Sequence, residues 1–106
     1  MSIDFILSKQ NPDGGWPYMR GKSWTEPSVY AVMALRSTGE REAAHRGMQW
    51  ILSVQRSDGG WPPQAEVDQS TWVTALVALL PPELLGAGVY QRTIGWLVGI
   101  SITESL

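Results

Sequence analysis

The chain has 106 residues, enough for one small domain, and a formal net charge of −2 with its basic residues scattered, so no nucleic-acid or anionic-membrane surface is expected. It has no cysteine, which excludes disulfides and thiolate metal sites, and a single histidine, His45. No apolar run approaches the ~20 residues that span a bilayer and residues 1–5 carry no basic leader, so a soluble cytoplasmic protein is expected.

Residues 2–10 read as a short helix, capped by Ser2, with Phe5 and Ile6 toward the core. Residues 11–26 form a turn and a polar loop containing Tyr18, Arg20, Lys22 and Trp24. Thr25-Glu26-Pro27 is a helix-start signal, and the spacing predicts a helix over 28–38 with an unbroken apolar middle. Gly39 stops it. Glu40-Arg41-Glu42 opens the next helix, with acids where the dipole favours them, and this helix runs to about 55. Ala43, Ala44, Gly47, Met48, Ile51, Leu52 and Val54 fall at helical spacing, while Glu42, Arg46, Gln49 and Ser53 lie opposite. A loop over 62–68 leads into a helix over 70–80 whose only polar residue from 72 onward is Thr74, and Pro81-Pro82 ends it. After a Gly-broken connection, 89–100 reads as an amphipathic helix with Arg92 and Trp96.

One short string occurs twice. Gln10-Asn11-Pro12-Asp13-Gly14-Gly15-Trp16-Pro17 returns as Gln55-Arg56-Ser57-Asp58-Gly59-Gly60-Trp61-Pro62, each shared residue displaced by 45 positions. The match extends upstream, where Ile6-Leu7-Ser8 aligns with Ile51-Leu52-Ser53. A fixed period of this length marks stacked supersecondary units. The chain therefore divides into two repeats, about 1–45 and 46–91, followed by the first helix of a third.

Each copy has a physical reading. Asp-Gly-Gly breaks a helix, since Gly takes the φ > 0 conformations of a tight turn. The Gln amide has donors and an acceptor to tie that turn back to its helix. The Trp adds a large flat surface with one N–H. The string then clamps helices together, or else presents a Trp to a sugar or peptide.

Gln10-x-x-x-Gly14-x-Trp16 and Gln55-x-x-x-Gly59-x-Trp61 resemble the QxxxGxW repeat of the squalene–hopene and oxidosqualene cyclases, found more loosely in the prenyltransferase and squalene-oxidase repeat group. Arg46-Gly47-Met48-Gln49-Trp50 supplies the basic, small and aromatic residues that precede the Gln in that pattern. The resemblance implies an all-α fold: α/α hairpins forming part of a toroid. In it, helices over 2–10, 40–55 and 89–100 are outer and wet on one face. Those over 28–38 and 70–80 are inner and apolar all round, and so need cover on every side. Two hairpins are a fraction of the six such a ring takes. The expectation is a homo-oligomer, two or three copies completing a ring, or a piece of a longer protein, because repeat units need neighbours. The expected third string near 101 is replaced by Ser101-Ile102-Thr103-Glu104.

The resemblance also assigns chemistry. The zinc site of the protein prenyltransferases uses Asp, Cys and His, and this chain lacks the Cys. Class II terpenoid cyclases protonate an alkene with the middle Asp of DxDD at the start of an inner helix. The nearest match is Glu66-Val67-Asp68-Gln69, with Asp68 aligned to the proton donor and Glu66 to the first Asp, while Gln69 replaces the last. An acid this strong needs a tuning partner and a dry site, and the missing carboxylate weakens the match. The alternative for Asp68 and Glu66 is service at a helix N-terminus, by capping and by dipole. Trp24, Tyr30 and Trp72 take the places of cavity-lining rings that stabilise carbocations, or simply pack. No phosphate loop or metal-binding Asp cluster is present, and no cofactor or metal is expected. Three functions follow: a non-catalytic module holding an isoprenoid-like lipid, a class II cyclase using Asp68, or a protein-interaction module using Tyr18 and Trp24. A polysaccharide lyase of similar toroid lacks support, with no catalytic Arg or Ca2+ cluster.

Overall fold

A computed structural model describes residues 2–105, and the side chains of residues 2–99. Among the described residues six helices follow one another: α1 (Ile3–Lys9), α2 (Thr25–Ser37), α3 (Arg41–Ser53), α4 (Val73–Val77), α5 (Pro82–Leu85) and α6 (Ala87–Ser105). Helices α2 and α4 pack against each other as an inner layer, with α1 and α3 against α2 and α6 against α4. The all-α hairpin arrangement matches the expectation, but with one helix more than the five anticipated.

Helix α1 starts where Ser2 Oγ accepts the Phe5 N–H at 3.1 Å. Ile3, Ile6 and Leu7 pack on the core, whereas Phe5, expected inward, is 48% exposed. The reason is one-sided packing. Helix α1 has α2 on one flank, and Phe5 turns outward under the Lys9 ammonium, 5.6 Å from its ring centre. Helix α2 begins three residues before the expected start, so Pro27 falls in its first turn, where a missing N–H costs little. Thr25 is buried there. Its N–H donates to Pro63 O at 2.8 Å and its hydroxyl to Pro62 O at 2.7 Å, anchoring the start of α2 to the second repeat. Gly39, at φ 83°, ends the hairpin, and α3 turns Glu42, Arg46, Gln49 and Ser53 outward as its pattern requires.

The second inner helix is shorter than 70–80. The Thr71 N–H is drawn to Trp61 O at 2.9 Å, and the N–H groups of Leu79 and Leu80 bond three residues back, so both ends tighten into single turns. The Pro-Pro pair does end it. Pro82 also starts a helix of its own, at a first-turn position of α5, a use of proline that a helix-breaker reading overlooks. Helix α6 then runs past the expected 100 through Ser101–Ser105.

The core joins both layers: Trp16, Val29, Val32 and Leu35 from the first hairpin, Met48, Trp50 and Ile51 from α3, Trp61, Val73, Val77 and Leu80 from the second. Among the described residues there is no β-strand, only isolated antiparallel bridges of Trp24 to Trp16 and to Gln64, which lay the two loops side by side. No helix is long and apolar enough to cross a membrane, among those residues.

Candidate functional site

The two repeated strings fold into near-identical turns. Gln10 Nε2 donates to Gly14 O at 2.9 Å, and Gln55 Nε2 to Gly59 O at 3.1 Å. The carboxylates of Asp13 and Asp58 each accept the N–H two residues on, of Gly15 and Gly60, at 2.9 Å. The indole N–H groups of Trp16 and Trp61 reach back to Ile6 O and Ile51 O, both at 2.8 Å. Their backbone N–H groups reach forward to the hydroxyls of Ser28 and Thr74, both at 2.8 Å. Each turn therefore ties the end of an outer helix to the start of an inner one.

Each turn is also gripped by the next outer helix. Arg46 Nη1 donates to Gln10 Oε1 at 3.3 Å, and Arg92 to Gln55 Oε1. Gly14 and Gly59, at φ 100° and 94°, lie so close to the Arg46 and Arg92 carbonyls that any Cβ would collide with them. Gly15 and Gly60 face the rings of Trp50 and Trp96 in the same way. One difference is local. Gln10 also donates to Ala43 O at 3.0 Å, while in the second repeat Thr93 Oγ1 donates to Val89 O at 2.8 Å. The hydroxyls of Ser23 and Ser70, which donate to Asp13 and Asp58 at 2.7 Å, escape a sequence reading because unequal loops place them at different offsets. Burial works against charge on Asp58, but the Ser70 hydroxyl, the Gly60 N–H, the Arg56 guanidinium and the Trp96 indole outweigh it and hold this carboxyl below its ordinary value.

Glu66 and Asp68 come together at a shallow groove of about 240 Å3 with Arg56 and Pro62. Neither is enclosed. Asp68 is 98% exposed and pairs with Arg56, and Glu66 pairs with Lys22 at the surface. Asp68 stands ahead of Trp72, the cap position of α4, so it does not cap that helix. Trp24 is half-buried, with its ring centre 5.5 Å from that of Tyr18, while Tyr30 and Trp72 are 50% and 61% exposed. Partial burial, the 2.7 Å hydrogen bond to Glu26, the charge of Glu26 and the nearby Tyr30 push the Tyr18 phenol up to about 12. Among the described residues, no His, Asp and Glu cluster is built to hold a metal ion. A larger groove of about 700 Å3, between the end of α2, α3 and α5, had no sequence signal, because its lining comes from three separate elements.

The family model of the squalene-hopene cyclase C-terminal domain matches residues 1–99. The chain belongs to that family. Comparison with curated proteins finds no match. In this squalene-hopene cyclase C-terminal domain, the paired turns supply scaffold. The Gln and Asp side chains of both strings are spent on neighbours in the chain, and both indoles are buried with their N–H groups occupied. Neither Trp16 nor Trp61 offers a face to a sugar or peptide. Open to a ligand are the exposed side of the inner layer, the groove beside α3 and the shallow groove at Glu66 and Asp68.

Proposed function

We propose that the chain is a non-catalytic repeat module of the squalene-hopene cyclase C-terminal type that assembles with copies of itself, two or three to a ring. The assembled ring encloses an apolar cavity suited to an isoprenoid-like lipid. One observation carries this reading. The inner layer keeps large apolar side chains in water: Tyr30 at 50%, Trp72 at 61% and Leu79 at 70% exposure. Such residues at the centre of a layered fold mark an unfilled contact. Trp72 and Leu79 flank α4, just before and just after its Val73–Val77 span, and Ala75 within it is exposed as well.

The rival reading, a class II cyclase with Asp68 as acid, needs a dry enclosure around that carboxyl. Asp68 stands almost wholly in water beside a guanidinium, which favours the non-catalytic reading for this chain. Squalene or geranylgeranyl diphosphate turnover abolished by Asp68→Asn would reverse that preference. The deciding experiment is native mass spectrometry on protein purified without detergent. The expected result is a defined oligomer carrying a co-purified hydrophobic mass. A bare monomer at micromolar concentration overturns the assembly.

A further inference from the structure

We infer that the groove beside α3 binds a single-chain anionic amphiphile, head toward the turn between α2 and α3 and tail along α3. This site is separate from the inner-layer face of the proposed ring, and none of Tyr30, Trp72 or Leu79 lines it. Its volume, about 700 Å3, falls in the size range of small-molecule sites, and it is open to solvent along one side.

The groove is polarised along its length. At the end by the α2–α3 turn stand Arg36, Arg41 and His45. Farther along, Val32 and Met48 from the core and Leu52 and Leu84, half-buried at its edge, make the wall and floor mainly apolar, with the exposed amide of Gln49 beside them. From Arg41 to Leu52 the α3 axis rises about 17 Å at 1.5 Å per residue, so the two ends of the groove are far apart, although His45 and Met48 adjoin within a turn at its middle. A uniform lipid would leave the cationic end unused, and a compact anion would leave the apolar trough unfilled. A molecule with one negative head and one hydrocarbon tail matches both.

The charge balance supports an anion. Glu83 also borders the groove, but it is engaged with Arg36 at 3.6 Å. Arg41 has no ion-pair partner among the described residues and supplies the free charge. A carboxylate or a phosphate head both fit a guanidinium fork.

The test is calorimetric titration of the intact chain with decanoate, decyl phosphate and neutral decanol, each below its aggregation threshold. Both anions are expected to bind one per chain, roughly tenfold or more tighter than decanol, with Arg41→Glu removing about that advantage. The tighter of the two anions identifies the head group. Trp72→Ala should leave binding unchanged. Carbon-13 spectra of the unmodified chain give a second readout: the Met48 methyl should shift on titration, and the methyl of Met19, 80% exposed in the first loop, should not. Equal binding of decanol, no effect of Arg41→Glu, loss of binding in Trp72→Ala, or a still Met48 methyl each overturns the proposal.

Discussion

A methyl group at Gly59 has nowhere to go. The residue holds φ at 94°, and its Cβ would run into the Arg92 carbonyl oxygen. Gly39 has a similar φ of 83° but open space around it. The pair separates two effects. Gly39→Ala bears only the left-handed backbone cost, about 1–2 kcal/mol. Gly59→Ala bears that cost and a collision with main chain, about 2 kcal/mol further. Urea denaturation of both variants should show this order, and equal losses would mean that the Arg92 contact is soft. Asp58 adds a pH signature. Its folded pKa lies below the ordinary carboxyl value of 3.8, so its stabilisation is fully present above that value and is lost as pH falls through the folded pKa. Asp58→Asn should therefore lower stability at neutral pH and flatten the decline below about pH 4. The carboxylate is partly exposed, so solvent screening keeps the effect small.

At the scale of elements, each turn belongs to its own hairpin and to the outer helix that follows. The first is held by Arg46 and Trp50 on α3, the second by Arg92 and Trp96 on α6. Stability in such stacks is a sum over neighbours. The double variant Arg92→Ala, Trp96→Ala should thus speed hydrogen exchange at the Gly60 and Trp61 amides and leave those of Gly15 and Trp16 protected. Uniform loss of protection would argue for one cooperative unit instead. The turns were legible in the sequence because the same residues recur at one offset, α1 because Ser2 caps it, and α3 because its apolar residues recur at helical spacing. The length of α4 was not, since it depends on the Thr71 N–H leaving for Trp61 O, a contact between segments. Helix α5 was hidden because Pro82 serves both as stop and as start. The surroundings of Asp68 were hidden for a similar reason. The motif match speaks only of its neighbours in sequence, while its exposure and its pairing with Arg56 depend on where the 62–68 loop lies against the preceding turn.

For the whole molecule, the exposed inner-layer side chains make assembly testable without knowing its ligand. Trp72 and Leu79 stand largely in water in the single chain, so a charge at either should change monomer stability by less than about 0.5 kcal/mol. In a ring these same positions face neighbouring inner helices or the enclosed cavity, where an unpaired carboxylate loses its hydration and costs several kcal/mol. Trp72→Glu and Leu79→Glu should therefore keep the dilute melting temperature within a few degrees and abolish the oligomer in sedimentation velocity at micromolar concentration. A carboxylate at exposed Tyr18, outside the inner helices, should leave the oligomer intact and serves as the control. An oligomer that survives both inner-layer charges would place the contact elsewhere, with the outer flank of α1, where Phe5 is exposed, as the next surface to charge. The inner layer would then be a face for something other than a second copy, because no wall of packed helices tolerates two buried carboxylates without loss of affinity.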